Sequence, residues 1–398
     1  MMNSAAPIHF SVPTRIQYGI GVLDRLAEEC RALQINKALL VTDEGVRRSG
    51  VIELAEAPLR EGGVAYATFA AVPVEPDLGA VDAGLRSALE QRCDGVIAVG
   101  GGSPLVAARA IAVLMTNPPP LRRYEGLERL QADSAPVIAV PTTAGSGAEV
   151  SPSIPITDAE LGRRIVVRGR GIYPKAALLD PRTLASLPPA QFVASGIDAF
   201  SHAVEAAASR KAHPITDALA IDAAGRMMSV LPVAAYSDQL AAKGEQLLAS
   251  SMAMLASGTV GLGLAHGVGN AIYALARSGS ADRPLLPHGV LSGILLPHVM
   301  DFNLPAAAAK YAALARRWGV SAAGDEEEGA RAAVERVRRL TATLGLPAVV
   351  PWEHLTADEL DGMAESTMKT VQARENPRVA VKGDILGLVR RCFGLEAG

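Results

Sequence analysis

Asp198 and His202 are the two residues whose types and spacing most directly suggest chemistry. They sit in SGIDAFSHAVEAAAS, an Ala-rich stretch with no Gly or Pro after Gly196. That composition predicts a helix, and an i, i+4 spacing puts both side chains on one face, a turn apart. A carboxylate beside an imidazole is half of a divalent metal site. Two further histidines stand in unusual settings, His266 in GLGLAHGVGN and His288 in LLPHGVLSG. Together the four would offer one carboxylate and three imidazoles. Plainer roles stay open at this point. His266, among Gly258, Gly261, Gly263, Gly267 and Gly269, equally suits a hydrogen-bonded core position on a small-sided helix. His288, between Pro287 and Gly289, equally suits the start of a new helix. His298 reads as packing, and His9, His213 and His354 show no partner pattern.

A second group of candidates lies where apolar runs end. Gly100-Gly101-Gly102-Ser103 follows DGVIAV and precedes Pro104. Three glycines let backbone approach a phosphate closely. Ser103 would cap the next helix, whose free amides attract an anion, and Pro104 would be its first residue. Thr142, Thr143 and Ser146 follow VIAVP with two glycines, making a lobe of small donors. Asp43 ends KALLVTD, where an acid either takes a ribose 2′-hydroxyl or caps a turn.

The elements needed to position these groups follow from the pattern. From Ile35 onward, short apolar runs (KALLV, VAYATFA, DGVIAV, APVIAV, AALLD) alternate with helical segments such as GVRRSGVIELAEAPLREGG and PLVAARAIAVLMT. This predicts a parallel sheet with helices on both faces, a fold that binds ligands at the carboxyl ends of its strands. PSIPITD and GRRIVVRGRG predict a hairpin. Past Pro189 the runs are long and rich in Ala, Leu and Met, predicting an all-helical domain. The expected division is residues 1–187 for the α/β domain and 188–398 for the helical one.

Bulk properties narrow the class. A chain of 398 residues holds about two cores, and its net charge of −3, with no basic tract interleaved with aromatics, argues against a nucleic-acid partner. The cysteines Cys30, Cys93 and Cys392 fit no metal or CxxC spacing and suit a reduced, cytoplasmic setting. MMNSAAPIHFSVPTRI lacks the apolar core of a signal peptide. No stretch reads as an apolar run of the roughly 20 residues needed for a membrane span.

Taken in order, GGGSP, PTTAGSGAEVSP, DPRTLASLP, ASGIDAFSHAVEA, GLAHG, PHGVLSGILLPHVMDFN and ENPR resemble the iron-containing alcohol dehydrogenase family. The resemblance covers nearly the whole chain. It implies a dinucleotide-binding α/β domain and an all-helical domain, in a dehydroquinate-synthase-like architecture, with a cleft holding NAD and a divalent metal. The metal would be Fe2+, with Zn2+ as the alternative, and NADP the less favoured cofactor. It also implies metal ligands Asp198, His202, His266 and His288. Gly100, Gly101, Gly102 and Ser103 would take the pyrophosphate, with Thr142, Thr143 and Ser146 opposite. Leu179 and the Asp180-Pro181 turn would border the nucleotide, and Asp43 would face the ribose. The implied reaction moves a hydride between NAD(H) and a primary alcohol or aldehyde, in a homodimer.

Three departures from the family pattern bear on this. Asn270 stands one turn after His266 where many relatives carry a second histidine, and an amide cannot relay a proton. Val106 stands where an acid is common near the nicotinamide, while Arg109 keeps a nearby charge. The link between His266 and His288 is long and carries Arg277 and Arg283, which suggests an anionic substrate group. Alternatives are a hydroxyacid–oxoacid transhydrogenase, a maleylacetate-reductase-like enzyme, a dehydroquinate-synthase-type lyase and a non-catalytic relative.

Overall fold

The computed structural model describes residues 7–278, 283–320 and 324–395. These form two compact units, and each gathers separated stretches of chain. One is Ser11–Pro188 with Asp238–Ser251; the other is Met1–Phe10, Pro189–Ser237 and Met252–Gly398.

The first unit is built on nine strands: β1 Arg15–Tyr18, β2 Lys37–Val41, β3 Ala65–Phe69, β4 Gly95–Gly100, β5 Gly126–Leu127, β6 Val137–Pro141, β7 Ser153–Asp158, β8 Arg163–Arg168 and β9 Ala176–Leu179. Six form one sheet in the order β1-β9-β6-β4-β2-β3, and every pairing in it is parallel. Strands β4 and β6 are buried along their whole length, which is why they read as unbroken apolar runs. Alternate residues still serve opposite faces. Val96, Ala98, Val137 and Ala139 join one core with the Gly102–Thr116 helix. Ile97, Val99, Ile138 and Val140 join the other, with Leu23, Leu26 and Leu59. The remaining strands make a small second sheet, β5-β8-β7, with the expected hairpin antiparallel from Ser153↔Arg168 to Asp158↔Arg163.

Several expectations are corrected here. The alternation begins at β1, before Ile35. Arg15 and Gln17 on this edge strand both turn to the buried Glu29, so β1 carries polar side chains and lacks an apolar signature. The single helix expected over GVRRSGVIELAEAPLREGG is two, Glu44–Arg48 and Glu53–Glu61, separated where Gly50 takes φ 76°. The helix after the glycine loop starts at Gly102, so Ser103 lies inside its first turn and is not the cap, and Pro104 is its third residue.

Arg109 also has a different role from the one expected. It is 1% exposed and donates to four carbonyls: Ile172 at 3.2 Å, Ala148 at 3.1 Å, Ser153 at 3.0 Å and Ser151 at 2.6 Å. Burial lowers its pKa to about 10, against the opposing influence of Tyr173 and Glu149. The guanidinium therefore fastens the loop before β7 onto the central helix.

Asp238–Ser251 joins this unit through polar contacts. Lys243 donates to the carbonyls of Leu184 and Ala185 at 3.3 and 3.2 Å, and Ser251 donates to the buried Glu149 at 2.6 Å.

The second unit is helical: Pro189–Ala208, Pro214–Tyr236, the end of Leu240–Val260, Leu264–Arg277, His288–Arg317, Glu326–Thr343, Ala357–Met368, Val371–Glu375 and Lys382–Cys392. The run expected to be one small-sided helix around His266 is two helices bent by 92°. Gly261 takes φ 82° and Gly263 becomes the cap of the second. The reading that no segment is long and apolar enough for a membrane is also corrected. Pro214–Tyr236 and His288–Arg317 both reach that length and hydropathy, with 50% and 67% of their apolar windows buried inside the fold. Their hydropathy builds a helical core in which each is flanked by other helices.

Replacing Arg109 by Met keeps an apolar stem and leaves four buried carbonyls without their donor. Urea unfolding of Arg109→Met is expected to show a loss of about 3 kcal/mol or more. A loss below about 1 kcal/mol, within the range of ordinary surface substitutions, would show that the clamp is dispensable.

Candidate metal centre

Asp198 and His202 lie in the middle of the Pro189–Ala208 helix, one turn apart, with His202 Nε2 3.8 Å from Asp198 Oδ2. His266 arrives from the start of the Leu264–Arg277 helix and sets its Nε2 3.5 Å from Asp198 Oδ1. The rings of His202 and His266 stack with centroids 4.8 Å apart. One donor atom from each of the three residues falls within 4.8 Å of the others. His288 is the first residue of the His288–Arg317 helix, and its ring lies 5.4 Å from that of His266. The edge of Tyr273 meets the His288 ring at 6.4 Å.

Gly289 brings the His288 helix this close. A Cβ at that position would sit 1.9 Å from the Ala194 carbonyl oxygen and 2.8 Å from Asp198 Cβ. One turn later, a Cβ at Gly293 would lie 2.7 Å from side-chain atoms of Ile197 and Leu346. The PHGVLSG segment thus supplies a candidate ligand together with the two missing side chains that let it approach.

The donor set fits a divalent ion. Bonds of about 2.0–2.2 Å in a tetrahedral arrangement put donor atoms about 3.4 Å apart; here Asp198 reaches His266 Nε2 through Oδ1 at 3.5 Å and His202 Nε2 through Oδ2 at 3.8 Å. Asp198 Oδ1 and His266 Nε2 are buried and form no well-aligned hydrogen bond among the described residues. Two buried polar atoms aimed at one point are what a metal would satisfy. Burial alone would raise the Asp198 pKa. The neighbouring His202, His266 and His288 outweigh it and hold the carboxyl well below its usual range.

Glu205 was not singled out from the sequence, yet it completes this centre. It is buried, with one oxygen 2.5 Å from His266 Nδ1 and the other accepting from the Ala265 N–H at 2.7 Å. It falls seven residues after Asp198, on the same face of the same helix. That spacing is the signal that would have found it. Asn270 stays on the His266 side of its helix, one turn on, and is exposed. Arg283, expected to meet an anionic substrate, is instead held in a two-pronged ion pair by Glu359 at 2.7 and 2.9 Å. Arg277 is exposed at the end of its helix, and residues 279–282 of the intervening loop lie outside the described residues.

The dinucleotide candidates gather at neighbouring strand ends. In the strand order, β2 and β4 are adjacent, and the chain leaves them toward opposite edges. This switch point opens the crevice in which such sheets bind ligands. Asp43 follows β2, the three glycines end β4, and Thr142 follows β6. The Thr142 N–H donates to the Gly100 carbonyl at 2.9 Å. Side chains at Gly101 and Gly102 would press on Thr143 and Ser146 at 3.1 Å, so the two loops nest against each other. Asp43 caps the Glu44–Arg48 helix through the Val46 N–H at 2.8 Å. Ser103 donates to the Val74 carbonyl. Leu179, the last residue of β9, is fully buried.

A nucleotide-type crevice at the ends of a parallel sheet, and a buried carboxylate–imidazole cluster in a helical unit, are the parts of a metal-dependent dehydrogenase. Comparison with known proteins identifies the family. Residues 13–181 match the iron-containing alcohol dehydrogenase family model, and residues 192–393 match the model of that family's C-terminal region. The chain is 34% identical to lactaldehyde reductase of Escherichia coli K12 over 93% of its own length and 96% of that protein's. It is 29% identical to the NAD-dependent methanol dehydrogenase of Bacillus methanolicus, over 97% of this chain and all of that one. The crystal structure of a 1,3-propanediol oxidoreductase superposes with a TM-score of 0.92 at 31% identity, covering 98% of this chain and 100% of that one. The chain belongs to the iron-containing alcohol dehydrogenase family. It is accordingly an oxidoreductase of alcohols and aldehydes, with iron as the family's metal.

A Gly289→Ala variant tests how tightly the centre is built. Its methyl group collides with a backbone oxygen, which no rotamer change relieves, so the first turn of the His288 helix must move. Metal affinity measured by chelator competition is expected to fall ~10-fold or more, the scale of effects around metal ligands. Unchanged affinity would mean that His288 does not depend on this approach.

Proposed function

We propose that this protein is an NAD-dependent, iron-dependent dehydrogenase that interconverts small primary alcohols and aldehydes, acting in the direction of aldehyde reduction on short hydroxylated substrates. The observation that carries the reading is the buried cluster of Asp198, His202 and His266, whose donor atoms lie within 4.8 Å of one another, with the His288 ring 5.4 Å from that of His266. Asp198 supplies the anionic oxygen and the three imidazoles supply neutral nitrogens. Iron bound there would supply a Lewis acid that polarises a substrate oxygen. The lactaldehyde and propanediol chemistry named for its relatives supports a short, hydroxylated substrate. The NAD dependence named for the methanol dehydrogenase supports the cofactor.

The chain's own residues then divide the work. Gly101 and Gly102 bring main chain toward the pyrophosphate at the start of the Gly102–Thr116 helix, where free N–H groups and the helix dipole favour an anion. Thr142, Thr143 and Ser146 offer hydroxyl donors from the adjoining loop. Asp43 has one oxygen on its helix cap and offers the other to the adenosine ribose, which favours NAD over NADP. Asn270 can orient a substrate hydroxyl by hydrogen bonding but cannot exchange a proton with it. The reduced cysteines support a cytoplasmic setting, and a homodimer is the assembly expected of the class.

The test is NADH oxidation with lactaldehyde and 3-hydroxypropanal, before and after chelation, with Fe2+ and Zn2+ added back. Turnover on the order of 1–10³ s⁻¹ is expected. It should be lost on chelation and restored by Fe2+. Turnover that survives complete metal removal, or no turnover with either aldehyde in the iron-loaded protein, would overturn the reading.

The cofactor assignment has its own test. Asp43→Ser keeps a helix-capping oxygen and removes the negative charge. The ratio of kcat/KM for NADPH to that for NADH is expected to rise about tenfold or more, as befits losing a charge a few ångströms from a phosphate. An unchanged ratio would confine Asp43 to capping.

A further inference from the structure

The Leu264–Arg277 helix begins inside the protein, immediately after a 92° bend, so its first N–H groups have no helical partners and little water. Gly263, at the cap position, has no side chain to offer. Groups from elsewhere meet the orphan donors. Asn376 Oδ1 accepts from Leu264 N at 3.4 Å, and Glu205 accepts from Ala265 N at 2.7 Å. The same Glu205 carboxylate reaches His266 Nδ1 with its other oxygen, at 2.5 Å. Gly263 makes room for both, since a Cβ there would lie 3.0 Å from Glu205 Oε1 and 3.1 Å from Asn376 Oδ1. Asn376 is in turn locked to Asn303 by a reciprocal amide pair at 2.7 and 3.0 Å. Asn303 belongs to the helix that begins at His288.

We infer that Glu205 is a positioning residue that caps this helix and, with the same carboxylate, holds the proton on His266 Nδ1, so that Nε2 is presented bare toward Asp198. The inference rests on His266 being a metal ligand. An imidazole has two nitrogens, and the hydrogen bond at one decides what the other does. A carboxylate only accepts, so its partner nitrogen must carry the proton. The cap fixes the height of His266 along the helix and the Nδ1 bond fixes the ring's rotation. One buried acid thereby sets both coordinates of the donor atom. Carboxylate partners of this kind orient metal-binding histidines and raise their basicity.

Glutamine separates the two roles. It keeps the size of Glu205 but has one acceptor oxygen, so it can serve Ala265 N–H or His266 Nδ1–H and not both. Its NH2 group also rewards the tautomer with the proton on Nε2, which closes the ligand position. In chelator competition with Zn2+ and with Fe2+, Glu205→Gln is expected to bind metal 10–100-fold more weakly than wild type. The metal-free variant should keep its helical circular dichroism and unfold within a few degrees of metal-free wild type. Equal metal affinity in the variant and wild type would overturn the inference. So would a loss of affinity matched by collapse of the metal-free fold, because capping alone would then account for it.

A second measurement needs no variant. In Zn2+-loaded wild type with 15N-labelled histidine, His266 should show a proton on Nδ1 protected from exchange, with Nε2 shifted by the metal. Metal on Nδ1, or a bare Nδ1, would overturn the inference. Wild type that binds neither Zn2+ nor Fe2+ would instead refute the metal site itself.

Discussion

The start of the Leu264–Arg277 helix is the constraint on which the site depends. A helix that begins in the protein interior leaves N–H groups that must find acceptors. Here the acceptors come from two distant stretches, Glu205 on the Asp198 helix and Asn376 near the end of the chain. Asn303 ties Asn376 to the helix that carries His288. One capping arrangement therefore links the segments that bear all four candidate ligands. A good cap stabilises by about 1 kcal/mol. Its larger effect here is geometric, because the cap residues cannot be satisfied unless His266 is at its correct height. Glycine makes the arrangement possible at two points, with Gly263 admitting the cap and Gly289 admitting the His288 helix.

The α/β unit meets a different demand with the same economy. Its central strands are covered on both faces, so the functional groups must be carried by the loops at their carboxyl ends. The loops stay in place because they pack on one another. Gly101 and Gly102 nest under Thr143 and Ser146, while Arg109 fastens the segment from Ala148 to Ser153 from below. A buried guanidinium with four carbonyl partners is stable only as a complete set. Its donors lie in a rigid fork, so it specifies the path of that loop as well as its stability.

What the amino-acid sequence reveals depends on whether an interaction is local. Asp198 and His202 are legible because four residues on a helix place them side by side. The glycines ending β4 are legible because they follow a strand and precede a helix. The parallel sheet is legible because strands buried on both faces read as apolar runs. Glu205 was missed because an acid in an Ala-rich helix also reads as a solvated position, and its partner lies 61 residues on. Arg109 was read only as keeping the charge of the family's helix motif because its acceptors are carbonyls, which leave no mark in sequence. The bend before His266 was read as a smooth helix, although Gly261 and Gly263 also fit a break. Arg283 looked available because its partner Glu359 is 76 residues away.

Charge accounting explains how so polar a cluster survives burial. Asp198 and Glu205 bring two negative charges to either side of His266. A divalent cation on neutral imidazoles would bring the sum to zero. Without it, a proton partly takes its place. Burial disfavours a charged His266, but Glu205 and Asp198 outweigh burial and raise its pKa to about 10. An imidazolium there would face both carboxylates, with Nδ1 2.5 Å from Glu205 and Nε2 3.5 Å from Asp198. Proton and metal thus compete for Nε2, while Nδ1 stays committed to Glu205 in both states. Metal bound there would displace a proton from Nε2, which couples its uptake to pH.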